Sequence, residues 1–185
     1  MAVWRLNCPY IIPNERTWSY LLYDAGEGRT ISVTQNDVRQ IQLAKAALYA
    51  GVKLLMDKMA ITQVGRIRLA GAFGSHIDVK HAMVLGLIPD CPLEKVASAG
   101  NAAGTGARIA LLNQDARRMI EGVVKQITKV ETAIEPQFQD YFVGAMAFPH
   151  KTDPFPHLFA VVQRPAEKVT EGSDEGGGRR RRRRG

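Results

Sequence analysis

Residues 66–75 read RIRLAGAFGS, a short apolar stretch that runs directly into a turn of glycine and alanine. Gly71 and Gly74 allow a tight reversal, and without a Cβ they let the backbone come close to a flat ligand. Free amide groups at the start of the helix that follows suit phosphate or other polar ligand atoms. Because ligands of α/β folds bind where strands end and helices begin, this turn is a candidate nucleotide site.

A second stretch, residues 95–106 (KVASAGNAAGTG), has the same design and leads into a helix predicted to extend to about Leu112. Neither turn is a standard fingerprint. The first lacks the G-x-G-x-x-G of dinucleotide folds, and the second lacks the Lys-Ser/Thr of a P-loop. Since glycine between a strand and a helix often serves tight packing, packing stays an alternative to ligand binding at both turns.

The chain before these turns predicts a β-hairpin and a long helix. Residues 18–33 contain two strand-like runs separated by the turn-forming sequence DAGEG. Thr34 followed by Asp37 is a helix-start signature, and apolar residues then recur at spacings near three, four and seven up to Met59. This period predicts an amphipathic helix of about six turns.

The chain after the first turn predicts further elements. Asp78 is placed to begin a helix that Gly86 ends. We also expect a helix that Asp115 caps, a strand at 128–134, and a last helix that Pro136 opens. Helices thus alternate with strands, an order that predicts an α/β fold with a mixed sheet flanked by helices.

The chain is expected to form one domain, residues 1–149, followed by a disordered or loosely packed tail, residues 150–185. The formal charge is +7, and six arginines at 179–184 account for most of it, so the rest of the chain is close to neutral. Blocks of like charge are usually solvated tails. The charge therefore predicts only nonspecific, salt-dependent binding of nucleic acid by the tail.

The cysteines and the hydropathy of the chain indicate the cellular compartment in which we expect the protein. Cys8 and Cys91 are far apart in sequence, with no C-x-x-C spacing, so neither a disulfide framework nor a thiolate metal site is expected. No hydrophobic run approaches the ~20 residues of a membrane span, and the start of the chain has no secretory signal. We therefore expect a cytoplasmic protein without a membrane partner. The abrupt start would suit a piece of a longer protein.

Three side chains are further candidates for ligand contact. Lys45 lies on the long helix among small and apolar residues, with Gln42 one turn earlier. The alternative for Lys45 is a lysine that snorkels at the helix edge. Phe73 could stack on an adenine, although a lone phenylalanine more often packs in a core.

Four blocks of the sequence, taken in order, resemble the C-terminal domain of the reductive activators of corrinoid proteins. They are residues 34–47 (TQNDVRQIQLAKAA), 69–74 (LAGAFG), 86–90 (GLIPD) and 100–107 (GNAAGTGA), within a resemblance that extends over residues 18–149. The resemblance implies the C-terminal lobe of an actin-like ATPase, a ribonuclease H-like fold. Two similar lobes hold ATP in the cleft between them in such proteins.

The resemblance also implies which residues border the nucleotide. Residues 69–75 are similar to the adenosine motif of that superfamily, and the long helix corresponds to one whose polar residues border the adenine. Residues 100–106 resemble a small-residue helix at the junction of the lobes. The implied nucleotide neighbours are Gly71, Ala72, Phe73, Gly74, Ser75, Gln42, Lys45, Gly100 and Asn101.

The chain departs from the family pattern in two ways. Members use ATP and an iron–sulfur domain to reduce Co(II) corrinoid to Co(I), but a two-iron cluster typically takes four cysteines and this chain has two. The first lobe, which supplies the phosphate loops and catalytic carboxylates in relatives, is missing too. We therefore expect ATP as the cofactor, with Mg²⁺ held by the missing lobe. We expect no iron–sulfur cluster, catalytic residue or metal ligand in this chain, and no appreciable ATP hydrolysis by it alone.

Two classes of function stay open. The first is the nucleotide-binding lobe of an ATP-dependent corrinoid activator, which works with its missing lobe in cis, as a fragment of a larger protein, or in trans. The second is a non-catalytic docking module that binds a corrinoid protein. A homodimer also fits the sequence, because a lobe without its partner would expose an apolar face.

Overall fold

The computed structural model describes residues 8–14 and 17–164, and for Phe73 the backbone only. The strands are β1 (Ile11–Asn14), β2 (Thr17–Asp24), β3 (Thr30–Thr34), β4 (Ile67–Ala70) and β5 (Val96–Gly100). The helices are α1 (Gln35–Lys58), α2 (Ala72–His76), α3 (Val79–Leu85), α4 (Ala102–Leu112), α5 (Gln114–Val124), α6 (Phe138–Ala145) and α7 (Pro156–Phe159). Short 3-10 helices occupy Leu93–Lys95 and Thr132–Ile134.

The predicted β-hairpin is confirmed and belongs to a three-stranded antiparallel sheet. β2 pairs with β1 on one side and with β3 on the other. At the turn, Gly26 has a φ of +77°, and its N–H donates to the Asp24 carboxylate over 2.8 Å. β4 and β5 form a separate parallel pair, so both strand orientations of the predicted α/β fold are present.

The predicted starts of the helices α1 and α3 are confirmed. Thr34 Oγ1 accepts from Asp37 N at 3.1 Å, while the Asp37 carboxylate accepts from Thr34 N at 2.8 Å. These reciprocal bonds are a capping box. Asp78 caps α3 by accepting from the His81 N–H at 2.8 Å. At the other end of α3, Gly86 has the positive φ of +70° that commonly ends a helix.

The core lies where α1, α3, β5, α6 and the chain beyond α6 meet. α1 packs chiefly on α6. The buried apolar residues of this core are Ala46, Tyr49, Ala82, Met83, Ile88, Cys91, Val96, Ala145, Phe155 and Leu158. Ala46 and Tyr49 come from α1, and the other eight come from α3, β5, α6, α7 and the segments between them.

Two predicted elements differ in the structure. Residues 128–134 form no strand but an irregular segment that ends in a 3-10 helix. Strand-like residues become a strand only when another strand pairs with them, and none of the described strands does so here. The predicted cap of α5 is also wrong: Asn113 caps it by accepting from Ala116 N at 3.0 Å. Because α4 ends immediately before Asn113, Asp115 lies inside the first turn of α5.

The packed part of the chain continues beyond the predicted domain end at residue 149. Phe155 and Leu158 are 0% and 1% exposed, and α7 follows the prolines of this segment. The prolines indicate that no long helix continues here, but they do not prevent apolar side chains from filling the core. The predicted start of the loose tail at 150 is therefore corrected for residues 150–164. Residues 165–185, with the arginine block, lie outside the described residues.

Candidate functional site

β4 and β5 bring the two glycine turns side by side. The strands are parallel, with Ile67 opposite Val96 and Ala70 opposite Gly100, so both turns leave the sheet at the same edge. Gly71 N donates to Gly100 O over 2.8 Å. A backbone hydrogen bond therefore joins two turns that the sequence analysis treated as separate segments.

The backbone at both turns is open. Gly71 and Gly100 have φ angles of +93° and +61°, in the left-handed region that glycine adopts readily. A Cβ built on either glycine would meet no atom within 4 Å. Backbone conformation, and not crowding, thus favours glycine at these two positions.

The polar side chains at the turns hold the turns in shape. Ser75 Oγ donates to Gly71 O over 3.1 Å. Asn101 Oδ1 accepts from Gly104 N at 2.8 Å and so caps α4. Both side chains are on exposed residues, and both make hydrogen bonds to the backbone of their own turn. These hydrogen bonds hold the backbone of each turn in the conformation in which Gly71 and Gly100 have free space beside them.

Gly74 differs from the other glycines of the site because it is a packing residue. A Cβ at Gly74 would lie 2.6 Å from the backbone carbon and oxygen of Leu69, so α2 rests directly on β4 at this point. Its neighbour Ala72 is exposed and is better placed to border a ligand. The packing alternative raised for the glycine turns therefore applies to Gly74.

Gln42 and Lys45 are engaged elsewhere in the structure. Gln42 Nε2 donates to Met146 O over 3.0 Å, and Lys45 Nζ donates to Pro149 O over 2.7 Å and also to Ala147 O. Lys45 is 0% exposed and therefore offers no surface to a nucleotide. The structure supports neither the predicted adenine contact of Lys45 nor the snorkelling alternative. Its ammonium is buried and donates to carbonyl groups after α6.

Burial also changes the acidity of Lys45. Desolvation lowers the pKa of its ammonium from 10.5 to about 8, because a charge is costly to hold away from water. The Phe148 ring lies over the ammonium, with 5.1 Å between Nζ and the ring centroid. The Phe148 ring and the carbonyl groups of Ala147 and Pro149 together stabilise the buried charge.

Sequence reasoning missed a cavity of about 340 Å³ at the opposite edge of β4 and β5. Val64, just before β4, and Pro92, just before β5, line it together with Tyr49 and Lys53 of α1. It does not include the glycine turns. The cavity and the glycine turns therefore lie at opposite ends of the β4–β5 pair.

Asp90 also has a role that the sequence did not predict. Its carboxylate accepts from His157 N at 3.1 Å and from Leu158 N at 3.0 Å, and it lies 2.7 Å from His157 Nδ1. Asp90 therefore supplies the cap of α7 from a distant part of the chain. Pro156 at the first position of α7 was a local signal for a helix start, but no local signal pointed to the capping residue.

The described residues contain no cluster of three or more His, Cys, Asp or Glu side chains that could hold a metal ion. Cys8 and Cys91 are both free thiols. Burial is the main cause of a raised pKa at Cys91, which keeps this thiol protonated. Within the same part of the chain, no helix has the length and apolar character needed to span a membrane.

A family model described as the C-terminal domain of RACo, the ASKHA domain, matches residues 3–159. The chain belongs to this family. Membership in the RACo C-terminal domain family confirms both the resemblance found in the sequence and the actin-like α/β fold. It also agrees with the packing of residues 150–159 into the domain.

Two relatives of this RACo C-terminal domain illustrate its context. The chain is 41% identical over 123 residues to "Corrinoid activation enzyme RamQ" of Eubacterium limosum, which covers 65% of the chain and 21% of RamQ. It also matches the structure of "Reductive activator for corrinoid,iron-sulfur protein" with a TM-score of 0.68 and 31% identity, over 83% of this chain and 25% of that one. The chain thus spans about a fifth to a quarter of these relatives.

Proposed function

We propose that this chain supplies the adenosine side of the ATP site in an ATP-dependent reductive activator of corrinoid proteins. The observation that carries the proposal is the pair of glycine turns, hydrogen-bonded to each other at one edge of a parallel strand pair. In α/β folds, ligands bind at such an edge, beyond the carboxyl ends of the strands. The names of the two relatives, which both refer to corrinoid activation, support the choice of pathway.

The residues that would border the nucleotide are those of the two turns. Gly71 and Gly100 leave the backbone accessible, and Ala72 and Asn101 are exposed beside them. The backbone N–H groups at the start of α4, an eleven-residue helix, suit polar atoms of the ligand. Gln42 and Lys45 are left out of this revised set because their side chains bind the segment after α6.

The proposed division of labour assigns the phosphates and Mg²⁺ to the part of the activator outside this chain. ATP would supply the free energy for a conformational change that gives a reductant access to the corrinoid cobalt. This chain would bind and orient the adenosine and would close one side of the cleft. We accordingly expect little ATP hydrolysis by the chain alone and expect hydrolysis when the other lobe is supplied in cis or in trans.

Calorimetric titration with ATP and ADP tests the nucleotide site, with the chain alone and with the chain combined with the rest of the activator. Ala72→Glu places a carboxylate beside the open turn without touching Gly74, whose substitution would disturb packing. We expect it to weaken ATP binding about tenfold or more, which corresponds to ~1.4 kcal/mol. Ala47→Glu, at an exposed alanine of α1, is the matched control and should leave binding unchanged.

The titration also has an outcome that opposes the proposal. If millimolar ATP binds neither the chain alone nor the chain combined with the rest of the activator, the adenosine assignment is wrong. Equal effects of the Ala72 and Ala47 variants would argue against the glycine turns as the site.

A docking module for a corrinoid protein is the second candidate function. The observation in its favour is the large exposed apolar surface of α4 and α5, where Leu111 and Leu112 are 76% and 84% exposed. Binding of a corrinoid protein at the same affinity with and without ATP would favour this candidate. Binding that requires nucleotide would favour the ATPase lobe.

A further inference from the structure

Residues 146–153, which we call the strap, cross α1 between α6 and α7. One polar stripe of α1 holds them, formed by Gln42, Lys45, Tyr49 and Lys53, whose spacing of three or four residues places them on one helix face. Gln42 and Lys45 bind carbonyl groups of the strap. Tyr49 OH donates to Asp153 Oδ2 over 2.9 Å, and Lys53 Nζ lies 3.0 Å from the same oxygen.

His150 lies in the middle of the strap and is held in one protonation state by its hydrogen bonds. Its Nδ1 accepts from Asp153 N at 2.9 Å and from Thr152 N at 3.2 Å. A nitrogen that accepts hydrogen bonds carries no proton, so the neutral ring carries its proton on Nε2. A second proton would have to go onto Nδ1, where it would face two N–H donors.

The surroundings of the His150 ring oppose a positive charge in other ways. Its side chain is only 6% exposed, and Nε2 is a buried polar atom without a hydrogen-bond partner among the described residues. The ring is 5.0 Å from the Tyr49 ring, measured between centroids. On the α6 side it meets Gly144, where an added Cβ would lie 3.1 Å from Nε2.

Four titratable groups face His150 or share its environment: Lys45, Tyr49 and Lys53 from α1, and Asp153 from the strap itself. α6 presents a glycine at this point. Burial is the main cause that lowers the pKa of His150; the two ammonium groups lower it further, and the Asp153 carboxylate, 3.7 Å away, partly offsets them.

We propose that the strap is a proton-sensitive element, which α1 holds while His150 is neutral and which loosens when the imidazole takes up a proton. Protonation would break the bonds from Thr152 and Asp153 to Nδ1 and place a positive charge, which the Asp153 carboxylate offsets only in part, beside Lys45 and Lys53. The unfolded or released strap has no such constraint. Uptake of a proton therefore favours release.

Release of the strap would also affect the cavity and the core residues next to it. Asp153 and His157 line the cavity of about 340 Å³, whose other wall is formed by Tyr49 and Lys53 of α1. Phe155 and Leu158, immediately after the strap, are core residues. Acidification would accordingly loosen one wall of this cavity and the anchoring of α7, while the glycine turns on the opposite edge of β4 and β5 would keep their structure.

Hydrogen exchange of the 185-residue chain, corrected for the intrinsic effect of pH, tests this proposal between pH 7.5 and pH 5.5. We expect protection of amides in 146–153 to fall by up to about tenfold as the pH falls from 7.5 to 5.5, because a free histidine takes up its proton near pH 6.5 and the folded strap disfavours that proton. Amides of β4 and β5 should change much less. His150→Asn, which keeps an acceptor near the position of Nδ1 but does not titrate, should remove the pH dependence.

Two control variants separate His150 from other histidines. His81→Asn changes an exposed histidine of α3 and should leave the response of the strap as it is. His157→Asn changes the neighbouring histidine that contacts Asp90. The proposal is overturned if protection of the strap in the wild-type chain does not change with pH, or if the change persists in His150→Asn. It is also overturned if the change disappears in His157→Asn but not in His150→Asn.

Discussion

Gly74 and Gly106 are both helical glycines, yet only Gly74 has neighbouring atoms where a Cβ would lie. At Gly74 an added Cβ would be 2.6 Å from the backbone of Leu69, whereas at Gly106 it would meet nothing within 4 Å. The same substitution therefore has opposite effects at the two positions. The sequence shows two glycines in similar turns, and only the packing of α2 on β4 distinguishes them.

Gly74→Ala is expected to lower the free energy of unfolding by ~1–3 kcal/mol, since a backbone cannot move aside as a flexible side chain can. Gly106→Ala is expected to raise it by ~0.5–1 kcal/mol through the higher helix propensity of alanine. Chemical denaturation of both variants beside the wild-type chain measures the difference. Destabilisation of similar size in both would contradict the packing role of Gly74.

Lys45 gives a second expectation at the residue scale. Its folded-state pKa of about 8 lies below the ordinary lysine value of 10.5, so between these values the folded state binds fewer protons than the unfolded state. Stability should therefore rise with pH in this window. Lys45→Met should abolish the rise, and Lys125→Met, at an exposed lysine, should retain it.

The measurement for Lys45 is denaturant unfolding at several values between pH 8 and pH 9.5. This range avoids the ionisation of tyrosine in the unfolded state, which matters because burial and the Asp153 carboxylate raise the pKa of Tyr49 in the folded state. Burial raises the pKa of Cys91, which makes stability fall with pH in the same range, so the slope is compared between the wild-type chain and Lys45→Met. Equal slopes in the two would show that Lys45 is not held as a buried charge.

At the scale of elements, the junction of α4 and α5 shows how closely helix ends follow local chemistry. Asn113 N–H donates to Ile109 O at the end of α4, and its side chain caps α5. Asparagine suits this position because its short amide can satisfy free N–H groups of the next helix. Asp115 was predicted as the cap, but α5 begins at Gln114, and Asn113 is the single residue between the two helices.

Asn113→Ala is expected to lower the free energy of unfolding by ~1 kcal/mol, the usual effect of losing a helix cap. Asp115→Ala should have a smaller effect, because Asp115 contributes only the favourable charge of the first turn and an exposed contact with Arg118. Thermal and chemical unfolding of the two variants compare these positions directly. A larger loss in Asp115→Ala would restore the original prediction.

At the scale of the whole molecule, α4 and α5 pack chiefly on each other and leave an apolar surface exposed. α4 has no buried residue, and Val124 at the end of α5 and Ile127 three residues beyond it are 59% and 68% exposed. Exposed apolar patches of this kind usually mark an interaction site. The relatives are four to five times as long as the part that this chain matches, so they contain chain that has no counterpart here.

We expect the isolated chain to associate with itself through this surface at high concentration. Leu111→Lys together with Leu112→Glu should reduce association and change the free energy of unfolding by less than ~0.5 kcal/mol for each substitution, since both side chains are exposed. Sedimentation velocity over a range of concentrations measures the association. Equal association of the wild-type chain and the double variant would show that another surface is responsible.

Local signals in the sequence were sufficient to predict several features of this protein. The capping box of α1, the cap and terminal glycine of α3, the β-hairpin and the two glycine turns all depend on residues within a few positions of each other. The family followed from four such blocks in the right order. Residues 128–134 mark the limit of this reasoning, because no strand of the described residues pairs with their strand-like segment.

The tertiary structure alone decided which residues meet across the fold. It joined Gly71 to Gly100, buried Lys45 against the chain after α6, and brought Asp90 to the start of α7. These contacts link positions far apart in sequence, and hydrogen bonding and burial depend on distance in space. A helical period can place Lys45 on a face of α1, but only the packing of the strap on that face excludes it from water and from a nucleotide.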